Sequence, residues 1–481
     1  MKRLLSLIMI FAVLASLCAC ATNGGKEDAG KTGEYTGAFY VGYGEALMNP
    51  IEPTPLGGYG NTSKRLSQNI TDDLYIRCVA LTDENGTLQL IYSLDSVRVY
   101  NQAIQSAALA LGELGISYEN VIINASHSHS TPDMTSSHSA ITRYLDYFKN
   151  QFKAATEAAM KDRKPAEMYY GSVEVSGLSW IRHYLMDDGS YGGDSFGDWD
   201  NHYAVAHTAE PDTTMHLLKF TREGGKDVVL ANWRVHPGLT GNAGKGVNAS
   251  SDLVGPFREA LENMADCHVM YLQGYAGNVN PGSRIDSEET YYGHLEHGTI
   301  LAEFAYEGMQ DMRQLETGPI QRSRVSLECM VNHSQDHLTA YAAIVSGVWR
   351  TTNDHDAARE AGRPYGIRSP YHANAITSNA SRALSEELEI NVLAIGTSVG
   401  ITGAPAELFD RNSMAIEENS PFEVNICMGY TNGHIGYIPA DYVWEYTSYE
   451  TDITRYQRGT AEKIQDTMLQ VLNQLYELNA G

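Results

Sequence analysis

The stretch Val121-Ile-Ile-Asn-Ala-Ser-His-Ser-His-Ser-Thr-Pro-Asp133 decides how this 481-residue chain is read. Three β-branched residues, Val121, Ile122 and Ile123, run into a loop of small polar residues carrying His127 and His129. A buried strand that delivers side chains to a cleft at its carboxyl end has this grammar. If the loop stays extended through His-Ser-His, alternation with a period of two puts both imidazoles on one side. Two imidazoles on one side suit a borderline-soft divalent ion, zinc first. A hydrogen-bonded loop pair without a metal is the plainer alternative.

Outward from that strand, apolar runs alternate with helical patterns. Residues 75–81 and 88–94 predict two strands around an Asp-Glu-Asn-Gly turn, and 102–112 an Ala- and Leu-rich helix. Residues 141–161 place Tyr144, Phe148, Phe152, Ala155 and Ala159 at helical spacing. Strands are expected at 39–44, ending in a glycine turn, and at 168–175, 215–220, 228–233, 267–272, 321–331, 389–401 and 423–428. Further helices are expected at 253–264, 299–312, 407–418 and 460–478. The Gly-, Asp- and Tyr-rich segment 186–202 reads as a long loop whose aromatic residues form either an acyl-chain or lid surface or a packed hairpin, and 334–375 shows no clear period. This alternation indicates an α/β protein: a mixed, partly parallel sheet core flanked by helices, in a single large domain with long loops.

The N-terminus gives an expected address. Residues 1–20 have a short basic start, an apolar run and a small-residue end, the pattern of a secretory signal peptide. Leu17-Cys-Ala-Cys20 resembles a bacterial lipoprotein cleavage box with Cys20 lipidated; Cys18, preceded by bulky Leu17, fits less well. Residues 21–37 read as a flexible tether, leaving 38–481 as the catalytic domain. The expected location is the bacterial cell envelope, extracytoplasmic, with the membrane engaged only through the N-terminal lipid. A formal net charge of −25 argues against nucleic acid or an anionic membrane surface as partner. Cys78, Cys267, Cys329 and Cys427 lie far apart in apolar runs, as buried small hydrophobes do.

Four further polar sites stand at expected strand ends: His236 in Asn232-Trp-Arg-Val-His-Pro-Gly238, the loop Gln273–Gly282, Glu407 in Pro405-Ala-Glu407 at an expected helix start, and Tyr430–Pro439. Several polar groups at one edge of a sheet mark a site more strongly than any one alone. His294 and His297 are expected to be solvated, and His333, His337, His355 and His372 to lie on the surface or in loops.

Together with Val41-Gly-Tyr-Gly44, the Asn-Ala-Ser-His-Ser-His-Ser loop, His236, Gly277-Asn-Val-Asn-Pro281, Pro405-Ala-Glu407 and the segment Tyr437–Glu450, the chain resembles the N-terminal catalytic domain of neutral, non-lysosomal ceramidases. The resemblance implies a Zn2+ site made by His127, His236, Glu407 and Tyr437. It also implies substrate-side groups at His129, Arg182 and Tyr449, with Asn280 and Gly277 beside the substrate. The implied reaction is zinc-dependent hydrolysis of a linear amide, an N-acyl amide, ceramide-like or other, by a metal-activated water. Three departures are visible. Asn280 stands where the family carries a serine, Thr131-Pro-Asp-Met134 replaces Gly-Pro-Gly-Gly, and the family's C-terminal immunoglobulin-like domain is not expected here. The second reading is a lipid-anchored binding protein that keeps the fold without the activity. A metallo-β-lactamase signature would require an acid at 131 and an imidazole at 132, where Thr131 and Pro132 stand. The rhythm of eight strand–helix units expected of an amidohydrolase barrel is absent.

Overall fold

Two β-sheets lie face to face, with helices on their outer faces. The structure, a computed structural model, describes residues 35, 37–59, 65–194, 196–285 and 293–481. The signal peptide with Cys20, and nearly all of the tether, fall outside the described residues.

The larger sheet has nine strands. Its main path runs His268–Gln273, Val228–Trp233, Thr214–Arg222, Lys164–Glu174, Tyr40–Leu47, Tyr75–Thr82, Leu88–Leu94, Val121–Ala125, with Arg313–Leu315 also on the Lys164–Glu174 strand. Only the two end pairs are parallel: Val228–Trp233 with His268–Gln273, and Leu88–Leu94 with Val121–Ala125. The second sheet holds Ile320–Met330, Ser385–Ile395, Val399–Gly403 and Val424–Met428, the last pair parallel. Val41, Ile91, Ile122, Leu230 and Met270 of the first sheet share one buried cluster with Leu393, Ile401, Val424 and Ile426 of the second. Burial of this kind, at roughly 25 cal/mol per Å² of apolar surface, is the main force holding the layers together.

Helices close the outer faces. Tyr144, Phe148 and Phe152 of Ser139–Lys161 pack with Ile76, Leu90 and Tyr92. Phe257 and Leu261 of Val254–Ala265 cover Val229 and Tyr271. Ile464, Met468 and Leu472 of Thr460–Ala480 cover Ile390 and Val392. Gly42 and Gly44 make no turn; they lie inside the strand, where a Cβ would come within 2.0 Å of Ala159 O and 2.3 Å of Ala155 O. Their missing side chains let the long helix approach the sheet.

The expected mixed α/β core is therefore the observed one, with local corrections. The apolar run expected as one strand over 389–401 is two, turning at Gly396, whose φ is +55°. Residues 186–202 are not structureless: with neighbours they supply His183–Met186, Tyr191–Gly193 and Ala204–His207, a three-stranded antiparallel sheet. Segment 334–375 contributes most of the helices Thr339–Thr352, His355–Gly362 and Pro370–Ala380 around a small apolar cluster of their own. His297 and His372 are fully buried rather than solvated, and His297 Nε2 donates to Leu178 O at 2.9 Å. The four described cysteines are buried free thiols. No described helix is long and apolar enough to cross a membrane.

The two ends of the large sheet meet. Asn124 Nδ2 donates to Gln273 O at 3.2 Å and to Gly429 O at 2.6 Å, and Gln273 N donates to Asn124 Oδ1 at 2.8 Å. One side chain thus ties together the carboxyl ends of three strands, one from each parallel pair. In sheets with parallel pairs, ligands bind at such a convergence.

Candidate metal centre

Beyond Ala125 the backbone leaves the strand, and His127 adopts φ +66°. The loop is therefore not extended through His-Ser-His, as alternation would require. The imidazoles meet nonetheless: the rings of His127 and His129 cross at 82° with centroids 4.7 Å apart, and their Nε2 atoms are 3.1 Å apart. His129 N donates to Pro237 O at 3.0 Å, which joins this loop to the one after His236.

Backbone carbonyls fix two tautomers. His127 Nδ1 lies 2.6 Å from Val97 O, and His236 Nδ1 lies 2.8 Å from Ala276 O. A carbonyl only accepts, so both Nδ1 atoms carry the proton and both Nε2 lone pairs point inward. What they face is another acceptor: Glu407 Oε2 stands 3.3 Å from His127 Nε2 and 3.5 Å from His236 Nε2. That oxygen is buried and no hydrogen bond reaches it. Tyr437 Oη lies 3.2 Å from His236 Nε2.

Glu407 does not begin a helix. Glu407–Leu408 forms a two-residue parallel ladder with Tyr437–Ile438, pairing Glu407 with Tyr437, and the helix starts only at Asp410. That register presents the two expected ligands side by side. Gly277 N donates to Leu408 O at 2.8 Å, and a Cβ on Gly277 would stand 2.5 Å from Glu407 O. Gly277 thus seats the Glu407 backbone.

Around this centre the charges are buried and paired. Arg182 Nη1 lies 3.5 Å from His236 Nε2, its guanidinium sits 5.1 Å from the Tyr437 ring centroid, and Nη2 pairs with Glu450. The other Glu450 oxygen accepts from His183 Nε2 at 2.8 Å. Burial alone would raise the Glu450 carboxyl, but Arg182 and His183 hold it down at about 2. The Tyr449 ring stands 5.9 Å from that of Tyr437, and burial pushes both phenols up. Burial, helped by Arg182, lowers His236 to about 4, and burial, helped by the facing His127, takes His129 well below the usual imidazole value. Asn280 Nδ2 donates to Asp194 Oδ2 at 2.7 Å.

A scan against protein-family models finds no match, and a search of the curated proteins finds none. Solved structures do match. A neutral ceramidase from Pseudomonas aeruginosa aligns with a TM-score of 0.67 at 16% identity, over 92% of this chain and 75% of that one. A ceramidase complexed with C2 aligns at 0.64 and 17% identity, with the same coverage. The fold is ceramidase-like.

Of the residues singled out in the sequence, His127, His129, His236, Glu407 and Tyr437 converge on one point, with Arg182 and Tyr449 beside it. The nitrogens of the three histidines all lie within 4.8 Å of one another. The sequence reading missed His434, whose Nε2 is 3.6 Å from Glu407 Oε1 and which burial lowers to about 3, and Glu450, which anchors Arg182. His434 sits three residues before Tyr437 and Glu450 directly after Tyr449, so nearness to an assigned residue was the available signal. Another cluster, Asp187, Asp188 and His202, is surface-borne, and both ring nitrogens already face the carboxylates, at 3.1 and 3.3 Å.

Proposed function

We propose that the chain is a zinc-dependent hydrolase that cleaves a linear amide, an N-acyl amide of a lipid or small molecule, with water as nucleophile. The observation that carries this is the buried Oε2 of Glu407, without a hydrogen bond and faced by two imidazole lone pairs. Acceptors do not converge in a protein interior unless a cation belongs between them. The spacings fit: ligands at 2.0–2.1 Å in a tetrahedron stand about 3.3 Å apart, and the contacts of His127 and His236 with Glu407 and Tyr437 are 3.2–3.5 Å. The Nδ1 bonds to Val97 and Ala276 are the outer partners that orient ligating imidazoles. Two nitrogens, a carboxylate and a phenol form a donor set that suits zinc.

A zinc ion bound here supplies Lewis acidity and brings the pKa of water toward 7. The chain's own residues do the rest. His129, kept neutral by burial, is placed to take a proton from the attacking water and return it to the leaving amine. Arg182, a fixed cation, and Tyr449, a neutral donor, stand where an oxyanion on the former carbonyl would need support. Asn280 stands where the family carries a serine, so a role for that hydroxyl is lost while the metal-water route remains. Cys20 as lipid anchor would hold this chemistry at the outside of a bacterial membrane; lipid labelling lost in Cys20→Ala tests that.

The test of function is metal analysis of wild type and His236→Ala beside a panel of N-acyl amides. One zinc per chain and fatty-acid release in wild type, both lost in the variant, are expected. Full metal and rate in His236→Ala would overturn the proposal. Intact metal with no turnover across amides would identify a binding protein instead.

A further inference from the structure

A cavity of about 750 Å³ lies between the three-stranded sheet and the helices of residues 355–380. Tyr191, Trp199, Tyr371 and Tyr446 line it together with Arg359, Arg363 and Arg368, and the carboxylates of Asp356 and Glu445 line it as well. A volume of that order suits a small-molecule ligand, and apolar walls with a few charged groups are the usual make-up of such sites.

The cavity is linked to the metal centre in two ways. Tyr371 contacts Tyr449 with ring centroids 6.0 Å apart, and Tyr449 contacts Tyr437 at 5.9 Å. Tyr446 Oη lies 3.0 Å from His183 Nδ1, and His183 donates to the carboxylate that holds Arg182. The cavity and the metal centre are thus joined through packed tyrosines, with Tyr371 standing between the cavity and Tyr449.

The three arginines are not equivalent. Arg368 is committed to Asp452, whose side chain is only 4% exposed, through both Nε and Nη2. Among the described residues, Arg359 and Arg363 pair with Asp356 and Glu360, one turn earlier on the same segment, at 3.1 and 3.6 Å. Those carboxylates are 81 and 56% exposed. Exposed pairs at this spacing are weak, so an incoming anion exchanges for them readily. In a chain with a net charge of −25, two exchangeable guanidiniums over an aromatic cavity select for an anion, against the repulsion of the chain's overall field.

We propose that this cavity binds an apolar chain ending in a carboxylate, and that the substrate class of the metal centre is an amide whose apolar arm carries such an anionic end. The substrate half of this rests on the hydrolase reading; the binding half does not. A free fatty acid and an acidic amide share the chemistry, and the experiment separates them.

Binding of dodecanoate is measured by calorimetry on wild type, Arg359→Glu/Arg363→Glu and Asp356→Asn/Glu360→Gln. Affinity is expected to fall at least tenfold in the first variant. It is expected to rise about threefold in the second, a gain that misfolding cannot produce. Equal affinity in all three proteins overturns the proposal. Turnover is then compared for dodecanoyl ethanolamide and the ethanolamide of dodecanedioic acid, which differ by one terminal carboxylate. The acidic amide is expected to be preferred, and the Arg359→Glu/Arg363→Glu variant to lower that preference at least tenfold. Arginine-dependent dodecanoate binding without amide turnover removes the hydrolase reading and leaves a fatty-acid site; turnover with no preference for the acid removes the substrate class.

Discussion

Replacing Glu450 with glutamine probes how the buried charges hold the site. Glu450 keeps its shape in Glu450→Gln but loses the charge facing Arg182, whose side chain is 5% exposed against 1% for Glu450. Removing one partner of a buried pair costs about 3–5 kcal/mol, because the other charge is left in a low-dielectric interior. The glutamine carbonyl still accepts one hydrogen bond from Arg182, returning about 1 kcal/mol. The His183 Nε2 bond at 2.8 Å now faces an amide that must turn either oxygen or nitrogen toward it. The expected loss of stability is about 2–4 kcal/mol, read by urea unfolding in the presence of zinc. Arg182 Nη1, 3.5 Å from His236 Nε2, loses its aim, and a misplacement of about 1 Å costs on the order of 100-fold in kcat. Zinc stoichiometry should stay at the wild-type value, since Glu450 touches none of the converging donor atoms. Unchanged stability together with unchanged turnover would refute this account of Arg182. Loss of zinc with stability intact would show that Glu450 acts on the ligands instead.

Other outcomes follow from the same geometry. Gly277→Ala forces a Cβ to within 2.5 Å of Glu407 O, so Glu407 must shift, and zinc affinity measured by chelator competition should fall about 10–100-fold. Tyr437→Phe keeps the ring but removes the oxygen 3.2 Å from His236, with an expected loss in zinc affinity of about tenfold and little change in unfolding midpoint. In chelated protein, His236 at about 4 and His434 at about 3 lie below the unfolded imidazole value of about 6.5. Their contribution is therefore complete above pH 6.5 and lost as the pH falls through the folded values, about 3 kcal/mol for His236 and about 5 kcal/mol for His434. Glu450, at about 2, adds a lower window below the ordinary carboxylate value, so unfolding free energy should decline continuously from pH 6.5 downward. A flat profile over that range would contradict the buried neutral imidazoles.

Much of the site was legible because strand ends announce themselves. Val121–Ile123 and Val228–Leu230 are apolar runs that stop at small or polar residues, and His127 and His236 sit just beyond them. Long amphipathic helices such as Ser139–Lys161 were equally clear, since an apolar stripe recurs on one face. What stayed hidden depends on distant partners. Glu407 precedes a helix-like sequence, and only pairing with Tyr437, thirty residues on, draws Glu407 and Leu408 into a ladder. Gly396 splits an apolar run by adopting a positive φ, which a lone glycine in a strand pattern does not reveal. The three helices after residue 338 bury only a handful of residues, among them Ala342, Val345, Ala358 and Ile376, too few to set a period. Convergence of the histidines despite the left-handed turn at His127 depends on the carbonyl of Val97, supplied by a loop thirty residues away.

Coordination of one ion is what the proposed chemistry needs most directly. X-ray absorption at the zinc edge of the purified protein should show a single site with nitrogen and oxygen neighbours at about 2.0–2.1 Å and no sulfur. Two of those neighbours should carry the outer-shell signature of imidazole, and one should disappear in His127→Ala. A protein free of bound transition metal, or a sulfur-ligated zinc unaffected by His127→Ala, would contradict it.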